Sequence, residues 1–198
     1  MRYEITSLNT KKLIANSLKK AMKTKPLSKI TVSELIRDCD INRNTFYYHF
    51  DDIYDLLHWM FKNDIIDKIK NYNLISDSKE VMTLVIDYIE ENAAILNCAY
   101  DSVGRDEMKR FFYKDFIAVS TSLIECAERE NHIALKPDFK QFVCDFFTES
   151  LAGILVEWIK KRETRSREEC IRQLSFLLKS SITAILKESP ENDLGIEF

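Results

Sequence analysis

The pattern of hydrophobic and polar positions predicts helices along almost the whole chain. The first runs from about Thr10 to Lys23, where Leu13, Ile14 and Leu18 recur at helical spacing and lysines take the other side. Residues 1–8 are expected to be a frayed arm. Further helices are predicted at about 52–71, 79–97, 107–130, 137–162 and 166–187.

Residues 31–50 have a different pattern, with two short amphipathic segments joined by a tight turn. Thr31 followed by Glu34 predicts a capping box at the start of the first segment. Asp40 occupies the turn, where an aspartate tolerates left-handed backbone, and Asn42 is a good N-cap for the second segment. The sequence therefore predicts a helix-turn-helix.

The second of these helices has a surface that suits DNA better than plain solvent. Phe46 and Phe50 fall on one side and are expected to point inward. The remaining surface offers arginine, asparagine, threonine, tyrosine and histidine, which bind base edges and phosphates. The alternative is a helical hairpin of the kind found in any α-protein.

These residues carry a family resemblance. The string Thr45 to Phe50, T-F-Y-Y-H-F, resembles the recognition helix of the TetR family of bacterial transcription regulators. Asp55 to Leu57 resembles the start of that family's fourth helix, and the whole stretch is most similar to the branch that contains the dihydroxyacetone kinase operon activator. Asp40 stands where the family usually has glycine, and Asp51 and Asp52 stand where it commonly has basic residues.

The resemblance implies an all-α fold with three parts. Residues 1–50 would form a three-helix DNA-binding domain, residues 51–190 a helical ligand-binding and dimerisation domain, and residues 191–198 a tail. The protein would be a dimeric regulator that binds a double-stranded DNA operator under the control of a small-molecule effector. The alternative is a TetR-like activator whose C-terminal domain binds a protein co-regulator instead.

Candidate DNA contacts follow from positions in the motif. Base contacts are assigned to Arg43, Asn44 and Tyr47. Phosphate contacts are assigned to Thr31, Ser33, Thr45, Tyr48 and His49, although capping alone would explain Thr31. Asp51 is expected to cap the next helix, and two acids at this place should weaken binding to DNA.

The charge distribution is consistent with a DNA-binding head. The whole chain has a net charge of −3. Residues 1–50 contain ten Lys or Arg and four Asp or Glu, a net charge of +6, while the remainder carries −9. A basic head on an acidic body is typical of a DNA-binding protein with a separate sensing or dimerising domain.

The last two helices are apolar over much of their circumference, which is typical of a central or interface helix. In the family such a pair forms a dimer interface, so we expect a homodimer, the alternative being a larger monomer core. The candidate interface residues are Ile154, Leu155, Trp158, Leu174, Leu178 and Ile182.

An effector pocket is expected among the helices that follow the head. Its candidate lining is aromatic, although such a stripe is more often core than binding site: Trp59, Tyr88, Tyr100, Phe111, Phe112, Phe116 and Phe146. The helix at 52–71 contains no Gly or Pro, so it is expected to connect the two domains without interruption.

Other chemistry has little support. The five cysteines form no C-x-x-C pair, and neither a metal-binding histidine motif nor a catalytic or nucleotide-binding motif occurs. We therefore expect no enzyme activity, no cofactor and no metal. No apolar run is long enough to span a bilayer and no signal sequence begins the chain, so a cytoplasmic protein with no membrane partner is predicted.

Overall fold

The structure is a computed structural model that describes residues 2–69, 72–73, 75–161, 164 and 166–187. Every regular element within these residues is helical, which confirms the predicted all-α fold. The predicted tail at 191–198 lies outside the described residues. Among the described helices, none combines the length and the apolar character needed to cross a membrane.

We number the helices in chain order. They are α1 (Arg2–Met22), α2 (Val32–Asp38), α3 (Arg43–His49), α4 (beginning at Ile53 and ending at Ile69), α5 (Ser78–Glu91), α6 (Ala93–Asn131), α7 (Pro137–Lys161) and α8 (Arg167–Lys187). A single 3₁₀ turn, Leu27–Lys29, lies between α1 and α2.

The described residues form two compact units, whose boundaries fall within α4 and α6. The first comprises the residues up to Asp64 together with Asn92–Phe111, and the second comprises Ile65–Glu91 together with the residues from Phe112 onward. The first unit therefore includes more of the chain than the predicted head, 1–50. The predicted boundary at residue 50 marks the end of the DNA-binding region rather than of a compact unit, and it stays a prediction.

In the first unit, α1 packs against α2, α3 and α4. The interior is made by side chains that are fully buried on each helix, among them Leu18, Leu35 and Leu56. Phe46 and Phe50 are also buried, as predicted from their spacing. Burying several large apolar side chains is the main stabilising contribution available to helices as short as α2 and α3.

In the second unit, α5 packs against α8. Ser166 caps α8 by accepting a hydrogen bond from the N–H of Glu169 at 3.3 Å. The next residue, Arg167, donates through Nε to Asp87 Oδ1 at 3.1 Å and lies 3.5 Å from Glu90. These bonds fix the start of α8 on α5.

Two of the predicted helices have the wrong bounds. α1 begins at Arg2, so the arm predicted at 1–8 is helical from residue 2; no Gly or Pro there opposes a helix. The helix predicted at 79–97 is two helices, since α5 ends at Glu91 and α6 begins at Ala93. Asn92 lies between them, and asparagine favours caps and turns over helix interiors. Within α6, Gly104 breaks the helix with a φ of 79°.

α4 differs from the predicted uninterrupted α-helix. It is α-helical over Ile53–Phe61, π-helical over Lys62–Ile66 and α-helical again over Asp67–Ile69. A π-helical turn needs neither Gly nor Pro, so the sequence contains no simple signal for it. Its N-cap is Asp52, whose side chain accepts from the N–H of Asp55 at 2.8 Å, rather than Asp51.

Candidate nucleic-acid interface

The turn between α2 and α3 has the backbone that the sequence predicts. Asp40 has a φ of 51°, in the left-handed region where a short polar side chain is tolerated. The N–H of Asp40 donates to the carbonyl of Arg37 at 3.4 Å, and the N–H of Ile41 donates to that of Ile36 at 3.0 Å. These bonds close the end of α2 and redirect the chain into α3.

Side-chain caps start both helices. Thr31 Oγ1 accepts from the N–H of Glu34 at 3.3 Å, but the Glu34 carboxylate binds Lys25 Nζ at 2.5 Å, so we find one half of the predicted capping box. Asn42 Oδ1 accepts from the backbone N–H of Thr45 at 2.8 Å and from its hydroxyl at 3.0 Å. The Thr45 hydroxyl is therefore held by the cap of its own helix.

The exposed side of α3 consists of polar side chains that end in planar groups. Arg43, Asn44, Tyr47 and Tyr48 are exposed. Arg43 Nη2 donates to the Tyr47 hydroxyl at 3.3 Å, and the Arg43 Cζ lies 5.5 Å from the centroid of the Tyr47 ring. The two side chains therefore form a pair, with the guanidinium oriented by a ring and a hydroxyl. A guanidinium held in this way can bind two acceptors on a guanine edge.

His49 closes α3 in a less exposed position. Its ring lies 4.9 Å from the Tyr48 ring. Burial lowers the pKa of His49, and the positive charge of Lys11 lowers it further. In the free protein the neutral form of His49 is therefore favoured.

The structure brings the eight candidate DNA contacts onto two neighbouring helices, because α2 packs against α3. Thr31 and Ser33 are exposed at the start of α2, and Thr45 and His49 are half-buried on α3. Their individual contacts with DNA stay predictions.

The position of Lys11 was not predicted from the sequence, which assigned this lysine to the solvent-facing side of α1. Lys11 Nζ lies 5.6 Å from the centroid of the Phe50 ring and 5.8 Å from that of Trp59. Position 11 is three and seven residues before the buried Ile14 and Leu18, which is the signal that could have found it.

The candidate dimer residues lie mostly in the interior of the single chain, and their part in a dimer stays a prediction. Leu155, Trp158, Leu174, Leu178 and Ile182 are buried inside the second unit, with Trp158 0 % and Ile182 1 % exposed, and Ile154 is half-buried. A buried side chain has almost no surface left to offer a partner. The large apolar side chains that α7 and α8 do expose are Phe142, Phe146, Phe176 and Leu177.

The candidate pocket residues are divided between the units. Trp59, Tyr100 and Phe111 belong to the first, and Tyr88, Phe112, Phe116 and Phe146 to the second. The Trp59 ring meets the Phe50 ring edge to face at 5.8 Å, and Phe146 is 54 % exposed, so neither has the surroundings expected of a pocket wall. Two clefts of about 570 and 520 Å³ in the first unit are lined by residues of α1, α2 and α6 and of the α1–α2 loop, none of them a candidate pocket residue.

The thiols have little reactive character. Burial raises the pKa of Cys39, Cys98, Cys126 and Cys144 above the ordinary thiol value. A protonated thiol is a poor nucleophile and a poor metal ligand. Within the part of the chain that the structure describes, no three His, Cys, Asp or Glu side chains are grouped to hold a metal ion.

An all-α chain with a capped helix-turn-helix followed by a larger helical region has the architecture of a helix-turn-helix transcription regulator. Residues 76–180 match the TetR-type family model described as "Transcriptional regulator C-terminal region". This match covers more than half of the chain, and the chain belongs to the TetR family of transcription regulators.

Two comparisons give individual relatives. The chain is 25% identical over 176 residues to the "HTH-type dhaKLM operon transcriptional activator DhaS" of Lactococcus lactis, an alignment that covers 89% of this chain and 92% of that protein. It is also similar to a solved structure titled "Dihydroxyacetone kinase operon activator DhaS", with a TM-score of 0.67, 24% identity and coverage of 88% and 96% of the two chains. The second similarity supports the fold alone.

Proposed function

We propose that this regulator binds a double-stranded DNA operator through α3. The observation that carries the proposal is the exposed Arg43–Tyr47 pair on a short helix that begins at the Asn42 cap, beside the exposed Asn44. The +6 charge of residues 1–50 supplies the attraction to phosphates, which dominates the affinity of such proteins. Since it acts on chromosomal DNA, its place is the cytoplasm, and we propose no catalytic activity.

The test is footprinting of the purified protein on genomic DNA. We expect protection of a few promoter regions and an affinity that falls steeply between about 50 and 200 mM salt. Binding that ignores salt or spreads evenly over all DNA would contradict the proposal. Footprints upstream of promoters rather than across them would support activation, the role that the name of the Lactococcus lactis relative gives.

The protein acts as a homodimer in this proposal, joined through the outer faces of α7 and α8. At 100° per residue, Phe142, Phe146 and Gly153 share the side of α7 opposite its buried residues. Phe176 and Leu177 lie on the outer side of α8. Phe142 and Phe176 are each 65 % exposed, and large apolar side chains on two helices are typical of an interface. Two heads would then read half-sites about one helical turn of DNA apart.

Sedimentation of Phe176→Asp tests the dimer, with Leu13→Asp as the matched control. Both replace a large exposed apolar residue by a charge, but Leu13 lies on α1 in the first unit. We expect a dimer for the wild type and the control and a monomer for Phe176→Asp. A wild-type monomer at micromolar concentration would remove the proposal.

Control by a small molecule is supported by two interior polar atoms of the second unit. Among the described residues, Trp158 Nε1 and Ser120 Oγ are buried without a hydrogen-bond partner. Leaving such groups unsatisfied costs about 1–3 kcal/mol each, which a ligand or water with an acceptor atom would recover. We propose a small polar effector bound in this unit.

The Trp158 fluorescence of a Trp59→Phe variant would report effector binding. A panel of small polar metabolites is expected to contain a compound that shifts the emission and also changes the affinity for DNA, since coupling between two sites is reciprocal. If no compound does both, the effector proposal fails, and the alternative that a protein co-regulator binds the C-terminal domain is favoured.

A further inference from the structure

Lys11 lies where three elements of the first unit meet. Its Nζ is 5.6 Å from the centroid of Phe50, the residue that ends α3, and 5.8 Å from that of Trp59 on α4. The two rings are themselves in contact, edge to face, at 5.8 Å. One ammonium group on α1 is therefore shared by an aromatic residue from each of the other two elements. We call Lys11, Phe50 and Trp59 the cation–aromatic clamp.

The clamp is distinct from the other lysine contacts of the same unit. Lys19, Lys20 and Lys25 bind the carboxylates of Asp64, Asp38 and Glu34. The ammonium of Lys11 faces rings, and its stem continues the apolar stripe of Ile14 and Leu18 along α1. A cation at this distance from an aromatic face is attracted by it, more strongly where water is partly excluded.

The position of α3 depends on contacts with neighbouring helices, such as those of the cation–aromatic clamp. It has seven residues, too few to be stable by itself. Its start is held by the Asn42 cap, and its end is held by Phe50, whose N–H donates to the carbonyl of Phe46 at 2.9 Å.

From this geometry we propose that Lys11 is a positioning residue for DNA reading: by holding Phe50 against Trp59 it fixes the end of α3 on α4. It acts through the rings and does not itself contact a phosphate. The inference rests on the proposed DNA-binding function and adds to it the group that sets the direction of the recognition helix.

The experiment compares three variants. Lys11→Met keeps the apolar stem and removes the cation, Lys11→Arg keeps a cation able to stack on rings, and Lys12→Met removes the same charge from the exposed neighbouring position. The DNA probe is a duplex of about 30 base pairs that the wild-type protein selects from a randomised pool.

We expect Lys11→Met to weaken binding roughly 5- to 20-fold more than Lys12→Met does, and Lys11→Arg to stay within about 3-fold of the wild type. The slope of affinity against salt should be the same for wild type and Lys11→Met, whereas loss of a phosphate contact would reduce it by about 1. In a Trp158→Phe background, Trp59 emission should shift in Lys11→Met and not in Lys12→Met.

Equal effects of Lys11→Met and Lys12→Met on affinity, or a reduced salt slope in Lys11→Met alone, would overturn the inference and leave DNA binding intact. A wild-type protein that selects no duplex would overturn both. Circular dichroism checks that each variant is folded, and the DNA measurements use protein that retains both tryptophans, so they do not depend on the Trp158→Phe background.

Discussion

The guanidinium of Arg43 and the hydroxyl of Tyr47 are 3.3 Å apart on an exposed helix face, so the two residues are expected to read DNA as a pair. Arg43→Ala should cost about 1–3 kcal/mol of operator binding and relax the preference at one base pair. Tyr47→Phe keeps the ring under the guanidinium and should have a smaller effect.

Arg37→Ala is the control for Arg43→Ala, because it removes the same charge from an exposed position on α2. Arg37→Ala should weaken binding to all DNA sequences alike. Selection from randomised duplexes, followed by titration of the preferred and the singly changed sites, measures both properties. An Arg43→Ala protein with the wild-type base preference would refute the assignment.

His49 makes the stability of the first unit depend on pH. Burial and Lys11 lower its pKa in the folded protein below the ordinary value of about 6.5, so folding favours the neutral ring. The stability that this provides is present above about pH 6.5 and is lost as the pH falls through the lowered folded pKa. Between about pH 7 and pH 5, urea unfolding should show a larger loss for the wild type than for His49→Gln.

The same histidine tests a phosphate contact. A DNA phosphate beside the ring favours its charged form, so operator binding should raise the His49 pKa measured by NMR. Lys11→Met should raise it in the free protein. An unchanged pKa on DNA binding would indicate that His49 is idle surface.

At the scale of elements, local signals in the sequence predicted where the two short helices α2 and α3 begin. Thr31 and Asn42 cap these helices because a side-chain oxygen satisfies an otherwise free N–H, a rule that needs no tertiary information. The π-helical segment at Lys62–Ile66 had no such signal, since it arises in packing.

The candidate dimer residues show where sequence patterns stop being informative. Apolar periodicity marks positions that avoid water, and both a protomer interior and an interface do so. Trp158 and Ile182 proved to be interior, whereas Phe142 and Phe176 are exposed in the single chain. The packing of α5, α7 and α8 decides which apolar side chains are buried within one chain and which stay exposed. The sequence of a single helix does not contain that information.

The break in α6 at Gly104 leads to a prediction about protein stability. Its φ of 79° and ψ of 174° are strained for any residue with a Cβ, although an added Cβ would meet no atom within 4 Å. Gly104→Ala should therefore destabilise the protein by about 1–3 kcal/mol through backbone strain alone. Urea unfolding measures the loss, and a neutral or stabilising result would show that the break in α6 relaxes at little cost.

At the scale of the whole molecule, Gly153 separates the stability of the protomer from that of the proposed dimer. It lies inside α7 with helical backbone, and an added Cβ meets nothing within 4 Å in the protomer. Ala in place of Gly at such a site favours the helix by about 0.5–1 kcal/mol. A partner helix packed against the outer face of α7 would, however, meet the new methyl group.

Gly153→Ala is therefore expected to have two opposite effects. The free energy of unfolding of the protomer should rise by about 0.5–1 kcal/mol, measured in the monomeric Phe176→Asp background. The dimer dissociation constant should also rise, measured by sedimentation equilibrium in the otherwise wild-type chain, because the methyl group keeps the two α7 helices apart. A more stable protomer with unchanged dimerisation would move the interface away from the Gly153 side of α7, leaving α8 with Phe176 and Leu177 as the surface that joins the two copies.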